Sequence, residues 1–405
     1  MSGSRTGRGV SFGRQRWAGW IASFALAACS LPGHVSTAAA QTPFYYASEA
    51  ESIGEPGSII RQEPMWGAPA GGSAHRVLYR STASDGRPIA VSGVIILPAG
   101  PPPTGGWPIV AWAHPTTGIV PHCAPSLAMF IFQQIAGSRQ LLEQGFAIAA
   151  TDYPGLGTPG PHPYLVGVSE ARAVIDSVRA LRSFPGMGNS NRYAVWGHSQ
   201  GGQASLFTGM ISKTYAPELR LVGVAAAAPA TDLATLMTDD MNTSGGRNLT
   251  AMTVWSWARV YGAPIESVVA PAAMPAVDRL ANECIESLFD IVMRDRTSRP
   301  LAQEFLTVAD PATLQPWRSL LARNTPGVLP RTTPVFLAQG STDALVRPQV
   351  TRSYMQRLCR AGSRVRMLIM PNVGHGFAGR DSADAAVSWI ADRFAGRLAP
   401  SDCRG

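Results

Sequence analysis

Lysine is nearly missing from this chain: Lys213 is the one lysine among 34 basic residues. The others are arginines scattered without a block of like charge, and a chain lacking such a block lacks the electrostatic footprint of a nucleic-acid binder. No apolar run is long enough to span a bilayer as a helix. Internal repeats are absent, and low complexity is confined to the alanines at 225–228. No paired carboxylate accompanies His114, His122 and His162, and their spacing fits no usual zinc pattern, so neither a metal nor a cofactor is expected. Acidic residues are missing from positions 1–40, where Arg5, Arg8, Arg14 and Arg16 fall. Without those four arginines the formal charge drops from +8 to +4.

That acid-free start carries its own signal. A basic segment precedes an apolar stretch, residues 17–28, too short for a transmembrane helix but suited to a secretory leader over 1–40. Two processing sites compete. Ala38-Ala39-Ala40 before Gln41 fits ordinary signal-peptidase cleavage, whereas Leu26-Ala27-Ala28-Cys29 resembles a bacterial lipobox that would leave a lipid anchor on Cys29. Either route exports the protein, secreted or held at the cell envelope. Cysteine is sparse, at five residues. Setting Cys29 aside leaves Cys123, Cys284, Cys359 and Cys403, which an oxidising compartment would join as two bridges in one of three connectivities.

What remains is a globular composition, 45% hydrophobic over 405 residues. That length accommodates one large α/β domain with an insertion, or two domains. Residues 41–74 are rich in Gly, Pro and Ser and read as irregular. Apolar patterning around Asp85-Gly86 predicts a hairpin that opens the sheet in antiparallel fashion. Continuous apolar runs at 109–113, 146–151, 193–196, 221–228, 334–338 and 364–370 then predict strands buried on both faces. Helical patterns fall at 126–144, 168–181, after 199, and at 346–359 and 382–394. Strands alternating with helices imply a mostly parallel sheet covered on both sides. The alternation stops between 232 and 330, a stretch helical in pattern and bearing Met and Trp. The expected organisation is therefore a leader (1–40), a core in two parts (41–231 and 331–405) and an inserted helical cap (232–330).

The predicted strand ending near Trp196 runs into Gly197-His198-Ser199-Gln200-Gly201, and small, helix-compatible residues follow. The bare G-x-S-x-G pattern arises roughly 0.3 times by chance in a chain of this length, so its context decides. A strand turning sharply into a helix is the setting of a nucleophile elbow. There the serine backbone is strained, and its neighbours two residues away must lack bulk. Downstream, Asp343 and His375 each follow a predicted strand, in the order that completes a Ser–His–Asp arrangement. A serine hydroxyl attacks only when a base takes its proton, and imidazole is suited to that task. Of seven histidines, only His375 sits at the expected strand end; His34, His75, His114, His122, His162 and His198 do not. The developing oxyanion needs two N–H donors. Gln200, next to the nucleophile, supplies one; Thr116, Thr117 and Asp152 compete for the other.

Several segments together resemble the secretory lipase family of the fungal lipase A type, in the α/β-hydrolase superfamily. They are Cys123-Ala124-Pro125-Ser126, Thr151-Asp152-Tyr153-Pro154-Gly155 with Tyr164, Ile175 through Leu181, the elbow, the long helical stretch, and Asp343 and His375. The resemblance implies an α/β-hydrolase fold, hydrolysis of carboxylic esters and often of lipids, a cap that forms an acyl tunnel and lid, and contact with a lipid interface. It implies Asp152 as the second oxyanion donor and the pairings Cys123–Cys284 and Cys359–Cys403. The sequence departs from the family's Asp-His-Glu-Gly at 152–155. The expected activity is cleavage of a small-molecule or lipid ester through an acyl-enzyme. The alternatives are a short-chain carboxylesterase or polyester hydrolase, a serine peptidase, and a catalytically silent anchored binding protein.

Overall fold

The structure, a computed structural model, describes residues 43–403 except Asp240 and Asn242. The expected leader, residues 1–40 with Cys29, lies outside the described residues. Among those described, nine strands form one sheet in the order β1-β2-β3-β5-β4-β6-β7-β8-β9. They are β1 (Ile59–Met65), β2 (Gly72–Thr82), β3 (Pro88–Pro98), β4 (Ile109–Ala113), β5 (Ala147–Thr151), β6 (Arg192–His198), β7 (Arg220–Ala227), β8 (Val335–Gly340) and β9 (Val365–Met370). The hairpin β2–β3 is antiparallel, as is the join of β3 to β5, and from β5 to β9 every pairing is parallel.

Among the described residues, twelve α-helices accompany the sheet. They are α1 (Glu49–Ser52), α2 (Ile131–Gln134), α3 (Ser138–Glu143), α4 (Gly167–Arg182), α5 (Gln200–Tyr215), α6 (Leu233–Asp239), α7 (Ser244–Val260), α8 (Met274–Ala281), α9 (Leu288–Ser298), α10 (Trp317–Arg323), α11 (Pro348–Arg360) and α12 (Ala378–Phe394). Side chains in a strand alternate between faces, and β4 shows the consequence. Ile109, Ala111 and Ala113 join one apolar layer, with Val174, Val178 and Leu206 of α4 and α5. Val110 and Trp112 join the other, with Leu141 of α3 and Val387 and Ile390 of α12. Both faces of the sheet are thus covered, which is why its strands read as unbroken apolar runs.

Two local expectations fail. The stretch 41–74 is not irregular throughout: β1 pairs with β2 at the sheet edge. Its half-exposed pattern and Pro64 hid it, and an edge strand is where proline is tolerated. The single helix expected over 126–144 is instead two short helices, α2 and α3. Gly137, at φ 80°, turns the chain between them into a left-handed conformation that a helix interior does not contain.

Between β7 and β8, helices α6 to α10 follow one another, and the described residues hold no strand there beyond one β-bridge, Val269–Leu306. Trp257 and Trp317 stack at 6.5 Å between centroids and are fully buried. The Trp257 indole N–H donates to the Tyr164 carbonyl at 2.9 Å, fastening this helical segment to the chain ahead of α4. Disulfides join Cys123 to Cys284 and Cys359 to Cys403, the pairings the resemblance implied. The first bridges the loop after β4 to the segment between α8 and α9.

Candidate active site

Ser199 sits where β6 ends and α5 begins, at φ 58° and ψ −117°. A non-glycine residue there is strained, and the surroundings hold it in place. Its own N–H donates to the Ala227 carbonyl at the end of β7, at 2.9 Å, and its carbonyl accepts the Gln203 N–H at 3.0 Å. The turn tolerates no bulk on either side. A Cβ on Gly197 would overlap the Gly201 carbonyl, and one on Gly201 would overlap the Ala113 carbonyl of β4.

His375 follows β9, and its Nε2 lies 2.8 Å from Ser199 Oγ. Its Nδ1 lies 2.9 Å from Asp343 Oδ2, in the loop after β8. A carboxylate only accepts, so Nδ1 carries the proton and Nε2 presents its lone pair to the serine hydroxyl. Asp343 is buried and fully engaged. Oδ1 accepts the N–H groups of Leu345 and Val346 at 2.9 and 2.8 Å, and Oδ2 also accepts Gln339 Nε2–H at 3.0 Å. Burial alone would raise its pKa, but the imidazole and these donors outweigh it and hold the carboxyl below the ordinary aspartate value. The three residues expected from the sequence are therefore in bonding reach of one another.

The oxyanion donors divide. Gln200 opens α5, where the first-turn N–H groups have no partner inside the helix. Asp152 does not fit the role expected of it. Its N–H donates to the Ser92 carbonyl of β3 at 2.8 Å. Its carboxyl is enclosed by Ser92 Oγ at 2.6 Å, the Ser126 N–H at 2.9 Å and the Ser126 hydroxyl. The reason lies in the strand order. β5, which Asp152 follows, is separated from the elbow strand by β4. The loop after β4 carries Thr116 and Thr117, whose N–H groups have no acceptor among the described residues.

A narrow cleft opens beside Ser199 and Gln200. Its walls are apolar: Leu233, Leu236 and Met237 of α6, Leu249 of α7, and Leu345 and Val346 after β8. The helical segment thus supplies much of the lining. The arrangement combines a hydroxyl with an adjacent base, an anchored carboxylate, free N–H groups and an apolar slot. It suits acyl transfer from a substrate with an apolar acyl group.

Residues 132–402 match the model of the secretory lipase family. The chain belongs to that family. It is a family of carboxylic ester hydrolases, and the solved structures that resemble this chain share its fold. Candida antarctica lipase A superposes with a TM-score of 0.74 at 17% identity, covering 89% of this chain and 87% of that one. The secreted triacylglycerol lipase LIP4 of Malassezia globosa is 24% identical over 350 residues, 82% of this chain and 74% of that protein. A probable inactive lipase of Mycobacterium tuberculosis is 27% identical over 207 residues, and the matched part spans 46% of that relative's length.

Several residues packed around the elbow carry no mark in the sequence pattern. His198 does not sit at the strand end expected of the base, yet its Nε2–H donates to the His375 carbonyl at 3.0 Å. Burial pushes its pKa down to about 3, so it is a neutral donor fixing the loop that carries His375. Glu170 and His162 close on the Gln200 side chain at 2.7 and 2.9 Å. His198 and Gln200 flank Ser199 inside the motif, and that adjacency is the signal the sequence offers. Nothing local in the sequence marked Glu170, which sits within a helical pattern.

Proposed function

We propose that this protein is an exported serine hydrolase that cleaves carboxylic esters with apolar acyl chains, lipid esters among them, through an acyl-enzyme. The observation that carries the reading is the unbroken chain Ser199 Oγ, His375 Nε2, His375 Nδ1, Asp343 Oδ2, with contacts of 2.8 and 2.9 Å. Ser199 Oγ attacks the ester carbonyl as His375 Nε2 takes its proton. Asp343 stabilises the imidazolium that results. The Gln200 N–H and an N–H of the Thr116–Thr117 loop receive the oxyanion. His375 then returns the proton to the leaving alkoxide, and water repeats the cycle on the acyl-enzyme.

The lipid side of the reading is supported by the apolar slot beside Ser199 and by Phe289, Ile291 and Val292 of α9, each more than half exposed. In this reading the helical segment between β7 and β8 is the cap over the acyl chain. Export is supported by the leader pattern over 1–40, with secretion or anchoring at Cys29 as its two outcomes. A silent scaffold is the second reading, and it is favoured by the relative named a probable inactive lipase.

Purified protein is assayed with nitrophenyl esters of increasing acyl length and with an amide substrate, alongside Ser199→Ala. A fluorophosphonate label is applied to both proteins. Ester turnover and labelling that vanish in Ser199→Ala are expected. Amide cleavage with every ester ignored would overturn the ester reading, and folded wild type that neither labels nor turns over would establish the silent scaffold.

A further inference from the structure

We infer that the side chain of Gln200 is a clamp that sets its own backbone N–H in the oxyanion position, with Glu170 and His162 as the positioning residues that hold it. This rests on the ester-hydrolase reading above. Gln200 faces two ways: its N–H opens α5 beside Ser199, and its side chain runs back into the core, 1% exposed as a residue. The amide Nε2 has two hydrogens and both are used. One meets Glu170 Oε1 at 2.7 Å, the other His162 Nε2 at 2.9 Å.

The protonation of His162 follows from its other nitrogen. Nδ1 lies 2.8 Å from the Pro154 carbonyl, which can only accept, so Nδ1 bears the proton and Nε2 offers its lone pair to Gln200. Burial keeps the ring neutral, its pKa pushed down to about 3. Glu170 Oε1 also accepts the Leu165 N–H at 2.9 Å. Leu165 stands at φ 56°, a conformation a branched side chain avoids, so this contact is held against backbone strain. The Leu165 carbonyl in turn accepts Gln203 Nε2–H of α5 at 3.2 Å. Beside it, the Tyr164 hydroxyl lies 3.0 Å from Thr116 Oγ1. The same segment therefore touches the start of α5 and the loop after β4, the two places from which oxyanion donors come.

A packing role does not explain these residue types. An apolar side chain of similar volume would fill the space without burying an acid, an amide and an imidazole. Glu170 is fully buried, and its Oε2 has no partner among the described residues. Burial, opposed by the Gln200 and Leu165 donors, pushes its pKa up to about 8. The ionisable groups near it are neutral His162 and the phenols of Tyr153, Tyr164 and Tyr261, which burial pushes upward. Near pH 7 the clamp is thus uncharged. Above about pH 8 a buried anion forms behind the donor that must receive another anion.

The test compares kcat and KM of wild type, Glu170→Leu and Glu170→Gln on a nitrophenyl ester that wild type turns over, with circular dichroism as the folding control. Glu170→Leu should lower kcat by roughly ten- to a hundredfold with KM within about threefold of wild type. Glu170→Gln, which reproduces the neutral acid's hydrogen bonds, should recover most of that loss. Wild-type kcat should fall above about pH 8, and the Glu170→Gln profile should lack that fall. A folded Glu170→Leu with wild-type kcat would overturn the clamp, as would an alkaline fall retained in Glu170→Gln; the second result decides if Glu170→Leu does not fold. Ser199→Ala in the same assay separates the two claims. If it stays active, the ester reading fails; if it is silent while Glu170→Leu is fully active, only the clamp fails.

Discussion

Replacing Glu170 by glutamine should stabilise the protein, and by an amount that depends on pH in a specified way. The carboxyl is fully buried and has its pKa pushed from 4.5 to about 8. A group whose folded pKa exceeds its unfolded value contributes its full stability only below the unfolded pKa, and loses that contribution as the pH climbs toward the folded one. In the unfolded chain Glu170 ionises above about pH 4.5, whereas in the folded chain it must stay protonated until about pH 8. The penalty therefore grows by about 1.4 kcal/mol per pH unit across that window. It reaches about 3 kcal/mol at pH 7 and about 5 kcal/mol above pH 8. Glutamine keeps an acceptor for the Leu165 N–H and Gln200 Nε2–H and does not titrate. Urea unfolding followed by tryptophan fluorescence at several pH values should show the two proteins diverging from pH 5 to 8 in the variant's favour. Beyond that the difference should be constant. Because the site is out of water, added salt should leave the difference unchanged. Parallel stability curves across pH would refute the reasoning, since they would mean that Glu170 ionises as readily folded as unfolded.

Four further outcomes are expected. Asp343→Asn should lower kcat by about 10⁴-fold, because one amide oxygen cannot serve both the Leu345 and Val346 N–H groups and the His375 Nδ1–H; steady-state kinetics on folded protein checks it. The double variant Cys123→Ser with Cys284→Ser opens a crosslink between residues 161 apart and should lose about 5 kcal/mol of stability, measured by urea unfolding. Cys359→Ser with Cys403→Ser, 44 residues apart, should lose about 4 kcal/mol. Gly201→Ala puts a methyl into the Ala113 carbonyl, and it should either prevent soluble expression or cut kcat by roughly a hundredfold or more.

The buried strands were legible because each is apolar on both faces, and the elbow because Gly197 and Gly201 bracket Ser199 with a strand ahead and a helix behind. Asp343 and His375 were legible for a related reason: each lies a few residues past a largely apolar strand, at the edge where Ser199 also sits. β1 was not, because an edge strand has one paired side and no buried alternation to betray it. The break at Gly137 was not, because Ile131, Ile135 and Leu142 keep a helical spacing across it. His162 and Glu170 stayed hidden for a deeper reason. Each is defined by what it touches on α5, at 38 and 30 residues' separation from Gln200, and no local pattern encodes a contact of that range.

Asp152 shows the same limit acting on strand order. In the chain, β5 comes after β4 and so stands closer to the elbow; in the sheet, β4 lies between β5 and β6. Continuous apolar strands do not reveal this exchange, because every interior strand of a covered sheet has the same composition. Once β4 is the neighbour, its Ala113 carbonyl abuts Gly201 and its following loop faces the start of α5. The N–H of Asp152 meanwhile extends the ladder to β3. The carboxyl of Asp152 then has a different task, tying Ser92 of β3 to Ser126, three residues beyond the disulfide-bonded Cys123. Burial raises its pKa as the serines pull it back, which suits a fixed crosslink between layers. A donor for a transient oxyanion must instead have a free N–H facing the reacting carbonyl. In this sheet the strand beside the one that ends at Ser199 is the one whose loop can offer it.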